Sequence, residues 1–386
     1  MASDQDPPRS AFGASPPGGH RQRPGRAGSA AAAGLKLTLR TALATAVIVG
    51  LGCVPLIAAL LNQPFYVTLF TRILIFAIAA SGLNLILGYG ALVSFGHAMY
   101  LGLGAYAVGL LGHHGITSGW AHVGAALVAG TVVAAGVGAI CLRTARGGGG
   151  MAFIMITLAF AQMLFFLFVS LREYGGDDGL PVATRSDFGL FSLASNVVLY
   201  YTAYAVLLLV LFFFWRLIHA RFGMVLRGCK VNERRMAALG FPTLRYKLAA
   251  YVLSALVCVL AGVLMANLTK FVAPSYMAWS VSGELIVMIV LGGMGTLIGP
   301  VVGATALLML EEALSSLKIG IDAVDRLVNQ HWLALIGLFV VAVVLVLKQG
   351  LYGRLVARDA REEQRGDRHE ERHEERQEER REGASR

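Results

Sequence analysis

The sequence predicts an all-α, polytopic membrane protein of about ten transmembrane helices. Three observations predict it. Hydrophobic residues make up 56% of the 386-residue chain and charged residues only 15%, where a soluble domain averages about a quarter charged. Several apolar runs reach the roughly 20 residues that a spanning helix needs. The charges collect at the two ends and in a few short loops, which leaves the middle of the chain solvated by lipid.

The elements follow in order. Residues 1–34 are rich in Pro, Gly, Arg and Ala and have no apolar face, so they read as a disordered cytoplasmic tail. The segment 40–61 imitates a signal peptide, but its apolar part is longer than a signal h-region and no A-x-A cleavage site follows. A retained first span is expected there. Apolar runs then fall at about 66–87, 94–112, 119–141, 151–170, 197–218, 247–267, 283–298, 299–315 and 332–347. The runs 283–298 and 299–315 are short, with Gly292, Gly293, Gly295, Gly299 and Pro300 at their join. Two short spans or a re-entrant hairpin both fit, the latter only if protein or a watery cavity surrounds it. The membrane region thus covers 35–353. The remaining 354–386 carry HEER, HEER, QEER between His369 and Arg380. Like charges four apart repel on a helix, so this reads as a solvated, low-complexity cytoplasmic tail, and its repeated His as drift rather than a metal site.

Charge sets the orientation. The segment 220–247 holds Arg221, Arg227, Lys230, Arg234, Arg235, Arg245 and Lys247 against Glu233 alone. The segment 171–195 holds Arg172 and Arg185 against Glu173, Asp177, Asp178 and Asp187. Positive loops stay inside, so both termini are expected in the cytoplasm. The net charge of +10 follows from the same rule and does not indicate nucleic acid. Cys53, Cys141, Cys229 and Cys258 show no CxxC spacing, so no disulfide framework or zinc site is expected.

The stretch Gly88–Leu110 carries Ser94, His97 and six glycines inside an apolar protein. Polar and small residues at that density are costly in lipid unless they line a path or let helices touch. Ser94, Gly96 and His97 stand at an expected helix start, where a half-helix N-terminus can face a polar cargo. They are candidates for the substrate path, and a packed, neutral His97 is the alternative. Thr157 and Gln162 are polar positions in a later span and join that list. Gly295, Gly299 and Gly303, spaced at four, would share one helix face and let another helix approach. Glu284, just after Ser282 and Gly283, would open a span and suit its N-terminus. Asp177 and Asp178 in GGDDGL could bind a soluble partner outside or form a solvated turn. NERRMAALG reads as a short amphipathic helix, with Met236 and Leu239 on one side, stopped by Gly240 and Pro242. It could enter a groove on a cytosolic partner or lie on anionic lipid. There is no G-x-x-x-x-G-K-[ST] loop, G-x-S-x-G or H-E-x-x-H, so neither catalysis nor a cofactor is expected in this chain.

The segment Gly88–Leu110 resembles the glycine-serine-histidine segment of branched-chain amino acid ABC permeases of the LivM type. The likeness continues in MITLAFAQM (155–163), GGDDGL (175–180), NERRMAALGFPTLRYKLAAYVLSALVCVLAG (232–262) and SGELIVMIVLGGMGTLIGPVVGA (282–304). It spans about 60–350. The resemblance implies the ABC importer permease fold: one membrane subunit of an ATP-driven importer in the bacterial inner membrane. Its implied partners are a second, LivH-type permease, two cytosolic ATPases that bind ATP and Mg, and a periplasmic or lipid-anchored solute-binding protein. It implies leucine, isoleucine or valine as cargo. Asn232, Glu233, Ala237, Ala238, Leu239 and Gly240 would then be the helix that couples to the ATPases, with Asp177 and Asp178 where the binding protein docks. Two stretches depart from the family: RTARGGGGMAF (143–153) is longer and richer in glycine, and CKVNE replaces an Arg-acid-Asn-Glu run. Urea or short amides carried on the same fold remain open. So does an ion-coupled secondary transporter, for which His97 would be the titratable candidate.

Overall fold

The computed structural model describes residues 45–145, 150–189 and 192–315, with 334, 337–339 and 341 besides. The expected tails 1–34 and 354–386 lie outside the described residues, as does most of the run at 332–347. All described residues but Thr45 belong to one unit, Ala46–Arg386.

The helices are α1 (Thr45–Leu60), α2 (Pro64–Asn84), which passes into a π-turn (Leu85–Tyr89), α3 (His97–His113), α4 (Gly119–Thr144) and α5 (Met151–Ser170). After a connection come α6 (Asn196–His219), α7 (Arg221–Ala238), α8 (Thr243–Thr269), α9 (Trp279–Gly292) and α10 (Gly299–Ser315). Among the described residues, five helices are long and apolar enough to cross a membrane: α2 with its π-turn, α4, α5, α6 and α8. The expected run at 94–112 becomes the shorter α3. The run at 283–298 becomes α9, which starts earlier and stops at Gly292. Gly293 and Gly295 take φ of 118° and 76° there, a conformation that ends a helix, and Pro300 suits the first turn of the next. The all-α expectation misses one small feature. Leu180–Pro181 (β1) pairs antiparallel with Phe271–Val272 (β2).

Lipid tails are as apolar as leucine, so burial alone does not hold membrane helices together. Close packing at small residues does. α8 is the central element. It runs antiparallel to α2, where Gly82 meets Ser254 and Val257, and to α4, where Gly130 meets Val259 and Gly138 meets Tyr251. It runs parallel to α3, where Gly104 meets Val259 and Gly262 meets Leu101 and Ala105. α9 and α10 form an antiparallel pair, with Gly292 on Gly299 and Gly303 on Met288. α1 is tied to α6 by hydroxyls. Tyr204 donates to the Ile48 carbonyl at 2.9 Å, and Tyr200 donates to that of Leu51.

α6 leads into α7 and α7 into α8, so the basic segment lies at one end of this bundle. The acidic segment closes the opposite end. There Gly119 donates to the Asp187 carbonyl at 2.6 Å and Asp187 to that of Thr117 at 2.9 Å. The Ser186 amide donates to Asn267 Oδ1 at 2.7 Å, and the Val182 amide to the Lys270 carbonyl at 2.9 Å. The loop therefore joins the start of α4 to the end of α8.

Candidate functional site

The site is built on a break in the backbone. α2 widens into its π-turn, Ala91 takes a left-handed φ of 54°, and the chain stays unwound until α3 begins at His97. π-turns and left-handed non-glycine residues are uncommon and cluster at functional sites. His97 faces Ser254, eleven positions into α8. At ~1.5 Å per residue that puts the start of α3 about 16 Å inside the bundle.

A hydrogen-bond chain holds this start. His97 Nδ1 lies 3.0 Å from Ser94 Oγ and Nε2 lies 2.9 Å from Ser254 Oγ. Ser254 donates its own proton to the Gly82 carbonyl at 2.6 Å. Its hydroxyl must therefore accept from His97, which puts the imidazole proton on Nε2. Nδ1 then accepts from Ser94, whose oxygen also takes the Gly96 amide at 3.2 Å. The chain is satisfied at every atom by a neutral imidazole. Ser282 of α9 accepts the Ala98 amide at 2.9 Å, so a side chain occupies one of the free amides of the helix start. Tyr100 donates to Tyr251 Oη at 3.1 Å, and both rings stand edge-on to His97.

Ser94, His97, Thr157, Ser254 and Ser282 are all 0% exposed. The structure brings Ser94, Gly96, His97 and Thr157 together, because Gly96 packs on the backbone of Thr157. Thr157 donates to the Ile154 carbonyl of its own helix at 2.9 Å. Gln162 lies five residues further along α5 and is half-buried. The half-helix start expected at His97 is present, and it points at α9 and α8 of the same chain. Ser254 and Ser282 escaped the sequence reading of the site. Ser254 carried the signal of a serine inside an apolar run, and Ser282 stands just ahead of another. Ser254→Ala should strand His97 Nε2–H and lower stability by about 1–3 kcal/mol, the cost of an unpaired buried donor. A thermal melt in detergent reads this, and an unchanged melting temperature would refute the chain.

The basic segment is more helical than expected. α7 starts at Arg221, eleven residues before the short helix read from sequence, because Val225, Leu226 and Cys229 form a buried stripe. The helix breaks at Asn232, whose backbone is extended (φ −158°, ψ 101°). Asn232 Oδ1 then accepts the Arg235 amide at 3.0 Å, as an N-cap does. The second part is a separate short helix beginning at Glu233, ended by Gly240 at φ +86°. Ala237, Ala238, Leu239 and Gly240 are exposed. Met236 packs against Gly228 of the first part. Glu233 faces inward. It bonds Lys247 Nζ at 2.6 Å, and the lysine side chain is only 5% exposed.

Asp177 and Asp178 are exposed on a tight turn at the other end. Gly175 and Gly179 take φ of +90° and +84°, and a Cβ on Gly175 would lie 2.0 Å from the Gly179 carbonyl oxygen. Two sequence expectations need correction. Gly295 does not share a helix face with Gly299 and Gly303. It sits in the α9–α10 turn, where its backbone meets Gly88 and its amide donates to Asn84 Oδ1 at 3.1 Å. Glu284 does not open a helix. It is the sixth residue of α9 and interacts with Arg72 and Glu311.

Comparison with known proteins bears on this arrangement. The family described as branched-chain amino acid transport system, permease component, matches residues 65–347. The chain is 26% identical over 309 residues to the high-affinity branched-chain amino acid transport system permease protein LivM of Salmonella typhimurium, covering 74% of this chain and 69% of that one. It is equally similar to LivM of Escherichia coli. With the permease protein LivH of Escherichia coli it is 25% identical over 296 residues, 72% of this chain and 91% of that one. No solved structure matches. These relatives are permeases and not enzymes. The family match includes the broken segment, the α7–α8 region and the paired α9 and α10, and this polytopic helical membrane protein belongs to the branched-chain amino acid transport system permease family.

Proposed function

We propose that the chain is the membrane permease subunit of an ATP-binding-cassette importer for leucine, isoleucine and valine in a bacterial inner membrane. The carrying observation is an exposed short helix at the basic end of a permease-family chain, opened by an Asn232 cap and closed by a left-handed Gly240. Asn232, Ala237, Ala238, Leu239 and Gly240 form the surface that enters a groove on a cytosolic ATPase. Glu233 holds that helix to α8 from behind.

In this reading the basic end is cytoplasmic by the positive-inside rule, both termini are inside, and about ten segments enter the membrane. Asp177 and Asp178 face outward, toward a solute-binding protein that delivers cargo. A second permease subunit completes the pathway and two ATPases bind ATP and Mg. Ser94, Gly96, His97 and Thr157, packed behind the surface, hold the start of α3 that shapes the path, and Gln162 borders it on α5. Closure of the ATPases pushes the short helix, tilts the packed helices and opens the path to each side in turn.

Affinity purification of the tagged chain from its native membrane, in mild detergent, tests the assignment. Two P-loop ATPases and a second permease are expected in near-equal amounts. A clean monomer or homo-oligomer, with complex integrity controlled, would overturn it. Deleting the gene should also lower uptake of radiolabelled leucine, and unchanged leucine uptake with reduced uptake of urea or short amides would reassign the cargo.

A further inference from the structure

The break at Asn232 is bracketed by two polar straps. On one side, the Lys230 ammonium donates to the Gly88 carbonyl at 2.7 Å. On the other, Glu233 pairs with the buried Lys247. The two straps lead to the same place.

Gly88 lies in the π-turn of α2, two residues before the unwound segment that ends at His97. The same turn is fastened to the α9–α10 connection. Asn84 Nδ2 donates to the Thr296 carbonyl at 2.9 Å and Asn84 Oδ1 accepts the Gly295 amide. Leu226 of α7 packs on Gly90. Lys247 lies on α8 four residues before Tyr251 and seven before Ser254, so the three share one helix face. Tyr251 and Ser254 are the partners of Tyr100 and His97 at the start of α3. One strap therefore holds the chain just before the break in the membrane region, and the other holds the helix against which α3 begins.

We infer that Lys230 is a positioning residue for transport. It transmits movement of the short helix to the π-turn and so to the start of α3, rather than touching cargo or ATPase. The chemistry fits that task. An ammonium on a carbonyl is a charge-assisted bond, stronger than a neutral one. A carbonyl in a π-turn has a locally altered helical hydrogen-bond pattern, so a pull there moves backbone instead of bending a side chain. The inference rests on the importer reading, and its test separates the two.

The tagged complex is purified with its partners and reconstituted in proteoliposomes with its solute-binding protein. Leucine taken up per ATP hydrolysed is then measured. Lys230→Met should keep the ATPase subunits bound and ATP hydrolysis near wild type, and lower the ratio by about tenfold, the worth of a lost charge-assisted bond. Lys230→Arg, which keeps a cationic donor, should restore most of it. A residue with a merely structural role would lower assembly and leave the ratio alone. A wild-type ratio in Lys230→Met overturns the inference. If that variant does not assemble, Lys230→Ala, which also removes the donor, is measured, and a wild-type ratio there overturns it equally. Absence of ATPases from the wild-type preparation overturns both this inference and the importer reading.

Discussion

Gly262→Ala should leave little folded protein. A Cβ at Gly262 would lie 1.9 Å from the Leu101 carbonyl oxygen, 2.8 Å from its carbon and 3.0 Å from the Ala105 amide nitrogen. All three are backbone atoms of α3, so no side-chain rotation relieves the clash and the helices must part. Overpacking costs about 1–3 kcal/mol and more where nothing yields, and here the contact between α3 and the central α8 is the one strained. Gly303→Ala should behave alike at the α9–α10 pair, with the Met288 carbonyl oxygen at 1.8 Å. Gly136→Ala is the control. Nothing lies within 4 Å of its added Cβ, and alanine in a helix gains roughly 0.5–1 kcal/mol over glycine. Size-exclusion chromatography after a heat step separates these outcomes. Equal recovery of the Gly262 and Gly136 variants would show that close backbone approach does not hold this bundle.

Gly240→Pro should abolish uptake while the chain still inserts in the membrane. Gly240 stands at φ +86°, and proline is held near −65°. The Gly240 amide also donates to the Ala237 carbonyl at 3.0 Å, a bond proline cannot make. The position is open, with nothing within 4 Å of an added Cβ, so the effect is one of backbone alone. A cost of roughly 3 kcal/mol at the end of the short helix corresponds to about a 100-fold loss of rate if that helix drives transport. Gly240→Ala, which strains φ but keeps the amide, should lose far less. Radiolabelled leucine uptake by cells carrying each variant, corrected for the amount in the membrane, reads the effect. Wild-type uptake in Gly240→Pro would remove the coupling role from this helix.

The candidate site was legible in unequal parts. Ser94, Gly96 and His97 stood out because polar and small residues inside an apolar run need a reason. The short helix stood out through its amphipathic pattern and its stop. Gly240 is a local signal and the helix ends where the spelling places it, whereas the Asn232 cap and the break there came from the structure. Glu233 read as part of an outer surface, and its inward turn onto Lys247 depends on where α8 lies. The glycine spacing at 295, 299 and 303 presumed a continuous helix. Positive φ at Gly293 and Gly295 broke that helix, and a period of four carries no information on φ.

By itself the sequence determined the class of protein, the position of most helices and which end of the bundle is basic. These are properties of neighbouring residues, set by apolar run length, helix stops and charge. Which polar groups meet follows from the packing of distant helices. His97 finds Ser254 at a separation of 157 residues, and Lys230 finds the Gly88 carbonyl at 142. A polar side chain in an apolar run announces that it must have a partner. Which group serves is set by how closely the glycine-lined helices pack, and that is a property of the assembled bundle.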